Sequence, residues 1–223
     1  MRRLPLLLLA LSPILLVLAG GALWCFWPSP PPPQTLEANI GGRRLHFAAA
    51  YLREGPPEPD RVDLVVLAPD FTPAGGDPHR IPGPVNGRAS PAALSADKAG
   101  AAQIFITLTP AAAETAAGAP ADRYGPFLEP DVQVTEGGLI RRRFEEKSPF
   151  AGEDFYYNAP DGQEFSARCQ RQRIPADGLP DVCLTHLIVD GLDLALRFDP
   201  VWLPQWPSLR ANAQLLARGA LAP

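Results

Sequence analysis

Cysteines and histidines are the side chains from which this 223-residue chain could build a redox or metal site, and it has three of each. They are Cys25, Cys169, Cys183, His46, His79 and His186. The cysteines lack the CxxC spacing that tunes a redox thiol. The histidines lack the HExxH or HxxxH spacing of a helical metal site. The sequence therefore predicts no metal-binding residue and a structural role for any paired cysteines.

Signatures of other catalytic sites are weak as well. No serine lies in a GxSxG nucleophile elbow. Neither Gly75-Gly76 nor Gly137-Gly138 precedes the lysine and helix of a phosphate-binding loop. The paired carboxylates at 145–146 and 153–154 are typical of a solvated face. We therefore predict no catalytic and no cofactor-binding residue, which favours a non-enzymatic protein.

Residues 183–198 carry the clearest local pattern. Asp190-Gly191 is a type I′ turn signal between two alternating runs, so Cys183 should lie opposite Phe198 on an apolar face. Cys169 stands on the preceding predicted strand, 163–170. Cys169 and Cys183 both lie in the part of the chain that the N-terminal segment, described below, is expected to export. Two cysteines in an oxidising compartment allow one intrachain pairing, so we predict a Cys169–Cys183 disulfide between two strands on the core side. Closing the loop 170–182 is worth about 3 kcal/mol in a loop-entropy account.

Arginines form two local basic groups whose interpretation stays open. They are Arg141, Arg142 and Arg143 in one group and Arg168, Arg171 and Arg173 in the other. Side chains alternate along a strand, so Arg141 and Arg143 should point one way and Arg142 the other. One interpretation is charge that discourages edge-to-edge pairing of strands. The other is a docking surface for an acidic partner, formed by Arg141, Arg143, Arg168, Arg171 and Arg173.

The first 27 residues predict the location of the protein and its topology in the membrane. Arg2 and Arg3 precede an uncharged apolar run, 4–23, that is long enough to span a bilayer as a helix. Trp24 and Trp27 suit the far interface, and the arginines favour a cytoplasmic N-terminus. We predict a single-pass anchor that contacts the bilayer through 4–27 in a bacterial inner membrane, with the C-terminal domain in the periplasm. A cleaved signal ending at Ala22 is the alternative.

The composition of the residues after the anchor indicates a spacer followed by one acidic domain. Proline-rich residues 28–34 predict an extended spacer, and residues 35–223 are long enough for one domain with a core. Without Arg2 and Arg3 the chain keeps 18 basic and 24 acidic side chains, a net charge of −6. An acidic domain is a poor binder of nucleic acid, so we expect none.

The elements of that domain are predicted from periodicity and turn residues. Strands are predicted at 36–47 (a hairpin turning at Gly41-Gly42), 62–68, 103–109, 139–144, 153–158, 163–170 and 183–198. A helix should start with Thr109 as cap and Pro110 at its first position, a helical turn should occupy 122–128, and a terminal helix should occupy 207–220. Residues 69–91 read as a long loop. The expected fold class is α+β, a mainly antiparallel sheet of about seven strands backed by the C-terminal helix.

Several short motifs in the C-terminal half carry a resemblance. They are Asp122-Arg123-Tyr124, Phe127-Leu128-Glu129-Pro130, 153–157, the Cys169/Cys183 pair, Arg197-Phe198-Asp199 and Leu203-Pro204-Gln205-Trp206. With these the chain resembles an uncharacterised proteobacterial family that has one N-terminal membrane anchor and a periplasmic domain. The resemblance implies a bacterial source and a periplasmic side, and it implies no activity, ligand or cofactor.

The resulting expectation is a non-catalytic module for protein interaction or envelope assembly, for example an immunity or inhibitor protein with an envelope protein as partner. One alternative is an envelope hydrolase, which would need His79 or His186 beside a carboxylate and a nucleophile. The other is a small-ligand sensor with residues 69–91 as a lid over an apolar cavity.

Overall fold

The structure is a computed structural model that describes residues 35–53, 58–74, 102–112, 118–171 and 182–221. The predicted anchor 1–27, the spacer 28–34 and most of the predicted loop 69–91 lie outside these residues. Within the described ranges no helix combines the length and hydropathy needed to cross a membrane.

A nine-stranded sheet in which every described pairing is antiparallel forms the body of the domain. Its strands are β3 (Val62–Leu67), β4 (Thr72–Pro73), β5 (Gln103–Pro110), β6 (Gln133–Val134), β7 (Ile140–Arg143), β8 (Glu153–Tyr157), β9 (Ser166–Gln170), β10 (Cys183–Val189) and β11 (Leu192–Phe198). Their order across the sheet is β4-β3-β5-β11-β10-β9-β8-β7-β6. The predicted antiparallel α+β class is confirmed, and two-residue edge strands bring the sheet from about seven strands to nine.

The β10–β11 hairpin has the register that its sequence predicts. Cys183 lies opposite Phe198 and Val189 opposite Leu192. The turn residues Asp190 and Gly191 have φ of 49° and 79°, which is the left-handed pair that a type I′ turn requires. Alternate residues of both strands are buried, so a one-residue slip would expose a whole apolar face.

The N-terminal hairpin is a separate two-stranded sheet, β1 (Thr35–Ile40) and β2 (Arg43–Ala48). It turns at Gly41-Gly42 with the predicted pairing of Ile40 with Arg43 and of Leu36 with Phe47. One face of the hairpin is buried in the main core. A short 3-10 helix, Ala49–Tyr51, follows it.

The C-terminal helix α2 (Trp206–Leu221) packs with β2 and β10 into that core. Its buried stripe is Leu209, Ala213, Ala217 and Ala220, and the predicted stripe residues Trp206 and Leu216 are half-buried beside it. The small alanines let the helix backbone approach the sheet closely. Helix α2 therefore covers one face of the sheet, as expected.

A 3-10 helix, Pro200–Gln205, leads into α2 and is held against the loop after β6. The Asp199 carboxylate accepts from the Val201 N–H at 2.8 Å and caps this helix. Trp206 Nε1 donates to the Gly137 carbonyl at 3.1 Å. Gly137 has φ of +87°, and a Cβ there would lie 2.7 Å from Pro204 Cα, so a residue without a side chain is required at this contact.

Asp63 ties β3 to β5 on the exposed side of their pairing. Its carboxylate accepts from Thr107 Oγ1 at 2.7 Å and from Arg61 Nε at 3.0 Å. Burial raises the pKa of the Asp63 carboxyl, but the hydrogen bonds from Thr107 and Arg61 outweigh burial and leave the pKa below its usual range. The ionised carboxylate is therefore the form that the fold stabilises.

Two local predictions were wrong. Thr109 and Pro110 do not start a helix, because β5 continues to Pro110 opposite Leu192 and Ala111 N donates to the Gly191 carbonyl at 3.0 Å. Pairing with β11 outcompetes the local helix-start signal at this position. The strand predicted at 163–170 begins at Ser166 instead, because the turn extends to Gln163, whose N–H donates to Asp161 Oδ1 at 3.1 Å.

Candidate binding groove

An aromatic cluster covers the outer face of the sheet between β7 and β9. Helix α1 (Pro120–Tyr124) and the 3-10 helix Gly125–Phe127 supply the helical turn predicted at 122–128. Tyr124 contacts the rings of Phe144, Phe150 and Phe155 at centroid distances of 5.6, 5.3 and 4.9 Å. Phe144 and Phe155 are fully buried, so this second core fixes α1 on the sheet.

Strands β9 and β10 separate beside this cluster. Their pairing runs from Cys183–Cys169 to Thr185–Ala167 and stops. The chain before β9 is bonded to the turn at the end of β8, because the Phe165 N–H donates to Asn158 Oδ1 at 2.9 Å and its carbonyl accepts from Asn158 N at 3.0 Å. The Phe165 ring packs at 5.4 Å from that of Trp206. These backbone bonds of Phe165 face β8 and extend the contact between β8 and β9 by one residue beyond Tyr157–Ser166.

The separation leaves a groove of about 570 Å³ between α1, β9, β10 and α2. Its charged lining comprises Arg123, Arg168, Arg210 and Glu164. The Arg168 guanidinium lies 4.8 Å from the centroid of Phe150 and 3.4 Å from Glu153. Arg210 lies 3.8 Å from Glu164. Arg168 and Arg210 thus each lie within ion-pair distance of one carboxylate.

His186 stands on one wall of the groove and is half-exposed. Its Nδ1 lies 3.0 Å from Asp193 Oδ1 on β11, the diagonal cross-strand pairing that the hairpin register predicts. Ser166 lines the same groove, and no hydrogen bond joins its hydroxyl to His186 in the described structure. His46, the other described histidine, lies 3.7 Å from Glu37 on the N-terminal hairpin. His79 lies outside the described residues.

The arginines predicted as a docking surface fall into different environments. Arg141 donates to Asp154 Oδ2 from Nε at 2.7 Å and also from Nη2, and Arg171 Nε lies 3.6 Å from Asp154 Oδ1. Burial lowers the pKa of Arg141, but the bond to Asp154 outweighs it and the net pKa is raised. Arg143 is exposed. Arg173 lies outside the described residues, and among the other four only Arg168 lines the groove.

Asp154 is almost completely buried at 3% exposure, and this explains why two arginines contact it. Burial also raises the pKa of Tyr156 on the same strand face, where Asp154 adds to the rise and Arg141 opposes it. Asp154 Oδ1 accepts no hydrogen bond from the residues described, although Arg171 is within ion-pair distance. Arg141 and Arg171 thus bind an internal carboxylate, and the docking role of all five arginines stays a prediction.

The predicted disulfide is present. Cys169 and Cys183 are bonded and lie directly opposite each other on β9 and β10. Both are buried in the main core. The bond holds the two strands together just below the point where they separate into the groove.

No group of three or more His, Cys, Asp or Glu side chains placed to hold a metal ion occurs in the described part of the chain. The groove itself was not predicted from the sequence. Its residues come from α1, β9, β10 and α2, which are distant from one another in the sequence, so no local pattern indicates it.

Comparison with known proteins identifies a shared fold. No protein-family model matches the chain, and no curated protein does. A solved structure of an immunity protein of the Stenotrophomonas maltophilia type IV secretion system is similar at a TM-score of 0.54, with 16% identity over 83% of this chain and 92% of that one. The Neisseria meningitidis iron-regulated outer membrane lipoprotein FrpD aligns at a TM-score of 0.45, with 12% identity over 84% and 92%. The first likeness shows the fold.

Proposed function

We propose that this protein is a non-catalytic, membrane-tethered module that binds another protein in the bacterial periplasm, in the manner of an immunity or inhibitor protein. The observation that carries the proposal is the fold shared with an immunity protein over 83% of the chain. That neighbour's class suggests a partner that is itself a protein.

The groove supports this proposal by its composition. Arginine and tyrosine are enriched among the residues that contribute most to protein interfaces, and Arg123, Arg168, Arg210 and Tyr124 line the groove together. The aromatic cluster beneath Arg168 keeps that guanidinium in place, so little side-chain entropy is lost when a partner binds.

The location in the proposal comes from the sequence. Arg2, Arg3 and the apolar run that follows would tether the domain to the inner membrane with its C-terminal part outside the cytoplasm. The Cys169–Cys183 disulfide supports an oxidising compartment.

Affinity capture tests the proposal. The full chain, extracted from its own host membrane in an uncharged detergent after reversible cross-linking, is purified and its companions are quantified by mass spectrometry. We expect one protein in near-stoichiometric amount. Recovery of this chain alone, under conditions where a known membrane complex stays intact, would contradict the proposal.

A hydrolase is the second candidate, and it rests on His186 beside Asp193 and Ser166 in one groove. A serine hydrolase needs a base within hydrogen-bond reach of its nucleophile, and these side chains lack that bond here. Lys98 also follows Ser95 at the spacing of an SxxK motif, outside the described residues. Hydrolysis of an activated ester by the full chain, abolished in both Ser166→Ala and His186→Ala, would favour this candidate.

A further inference from the structure

We propose that the free edge of β6 is a second protein-binding surface, and that its partner is an extended segment in which apolar and basic side chains alternate. The β6 edge comprises residues 131–136. None of these residues lines the groove, so the inference goes beyond the function proposed for the groove.

The first argument is the backbone of β6, which is the last strand at one side of the sheet. The Thr135 N–H donates to the Leu139 carbonyl at 2.9 Å, and bonded pairs alternate with non-bonded pairs along an antiparallel ladder. The next pair, Val134 with Ile140, is therefore non-bonded, so the N–H and C=O of Val134 point away from β7. A segment added at this edge would bond to them, which is the mode by which sheet edges recognise extended peptides.

The second argument is the apolar surface at the same edge. Val132 and Val134 are 54% and 77% exposed. They are two residues apart, so an extended chain directs both side chains to the same face of the sheet. Sheet edges are usually protected by lysine, proline or a covering element, and residues 131–136 contain neither lysine nor proline. Apolar residues at alternate positions of an added segment would cover the two valines.

The third argument is that both ends of the edge are held in place before a partner arrives. The Gly138 N–H donates to the Thr135 carbonyl at 3.0 Å, and Trp206 Nε1 donates to the Gly137 carbonyl at 3.1 Å. At the other end Arg142 Nε donates to the Glu129 carbonyl at 3.0 Å. Little backbone entropy is therefore lost when a strand is added.

Charge selects the chemistry of the occupant. Residues 129–138 contain three carboxylates and no lysine or arginine. Asp131 and Glu136 are exposed and make no ion pair with another residue that the structure describes. The arginines of β7 lie one strand further from an added segment, and Arg141 is already bound to a buried carboxylate. Basic residues between the apolar ones of the segment would share the face of Asp131.

The same charges disfavour a second copy of this chain as the occupant. Antiparallel pairing of Val132 with Val134 of a second copy would place Asp131 opposite Thr135 of that copy and next to its Glu136. Like charges would then meet at both ends of the pairing, which is destabilising. The occupant is therefore a basic segment of another protein.

The test uses the full chain in uncharged detergent and a fluorescent octapeptide of alternating valine and lysine, blocked at both ends. A valine–glutamate octapeptide controls for charge. Two isomers of the basic peptide, N-methylated on the backbone of its valines or of its lysines, control for strand addition. A strand bonds to its neighbour through one of its two edges, so the two isomers should bind differently. Binding is followed by fluorescence anisotropy.

Two protein variants act on the backbone and on the charge separately. Val134→Pro removes an N–H that points away from β7, so the ladder with β7 is kept. Asp131→Lys reverses a charge of the edge. Asp70→Lys is its matched control, because Asp70 is also exposed and lies in the turn between β3 and β4, at the opposite side of the sheet.

We expect saturable binding of the valine–lysine peptide that weakens about tenfold in Val134→Pro and in Asp131→Lys and stays within about twofold in Asp70→Lys. We expect no saturation with the valine–glutamate peptide and about a tenfold difference between the two methylated isomers. Absence of saturable binding, equal binding of the two charge types, equal effects of the two lysine variants, or equal binding of the two isomers would overturn the inference. Because Asp131→Lys and the methylated peptides leave the β6 backbone intact, misfolding of Val134→Pro would not rescue it.

Sedimentation of the detergent-solubilised chain tests the second copy directly. We expect no dimer that depends on Val134. A dimer that Val134→Pro dissociates would assign the edge to self-association and overturn the inference.

Failure here is distinguishable from failure of the proposed function. A captured protein partner without peptide binding would retain the function and reject this surface. Peptide binding without a captured partner would do the reverse.

Discussion

Reduction of the Cys169–Cys183 disulfide should destabilise the domain by an amount that follows from its position. The two cysteines are 14 residues apart, and closing a loop of this length removes about 3 kcal/mol of chain entropy from the unfolded state. For a domain of 150–250 residues each kcal/mol moves Tm by about 2–4 °C. We therefore expect reduction to lower Tm by about 6–12 °C.

The assay is thermal unfolding of the full chain in uncharged detergent, followed by circular dichroism with and without reductant. Cys169→Ala/Cys183→Ala should unfold at a lower temperature in both conditions and should not respond to reductant. Cys25→Ala is the matched control, and it should keep both the wild-type Tm and its sensitivity to reductant.

Thiol counting in denaturant gives an independent readout. Without reductant we expect one reactive thiol, that of Cys25, from the three cysteines, and after reduction we expect three. Three reactive thiols in the unreduced protein, or a Tm that reduction leaves unchanged, would refute the reasoning about this disulfide.

Two further predictions concern contacts elsewhere in the fold. Gly137→Ala should cost about 1–3 kcal/mol more in the free energy of unfolding than Gly138→Ala, because both glycines have positive φ but only at Gly137 would a Cβ meet the backbone of Pro204, at 2.7 Å. Denaturant unfolding of the two variants measures this difference, and equal costs would contradict the tight contact. Asp63→Asn should cost about 1 kcal/mol at pH 7. Because the folded state lowers the pKa of Asp63, this difference should be complete above the unfolded pKa of about 3.9 and should shrink as the pH falls through the lower folded pKa. A difference between wild type and Asp63→Asn that grows on acidification would contradict the assignment.

Local patterns predicted the parts of this fold that depend on neighbouring residues. The registers of both hairpins follow from Gly41-Gly42 and Asp190-Gly191, because a two-residue turn fixes which side chains face each other. The pairing of Cys169 with Cys183 followed from their being the two cysteines of the part expected to be exported, and strand alternation placed the bond on the core side. The terminal helix followed from its apolar stripe.

The parts that were missed depend on residues distant in the sequence. Thr109 followed by Pro110 is typical of the start of a helix, but strand β5 continues to Pro110 because Pro110 pairs with Leu192 on β11. The alternation of Arg141 and Arg142 was predictable, whereas the burial of Asp154 between Arg141 and Arg171 was not. The groove lies between elements that are far apart in the sequence, α1, β9, β10 and α2, and a local strand pattern does not contain how they are placed around it.

The central claim, that this domain binds a protein through the groove, is tested most directly by site-specific photo-cross-linking in the living host. A photoreactive residue is placed at Ile188, 40% exposed in the groove, or at Leu215, 66% exposed on α2 and outside the groove lining. The account predicts one discrete protein adduct from position 188 and none from position 215. No adduct from position 188, or the same adducts from both positions, would contradict it.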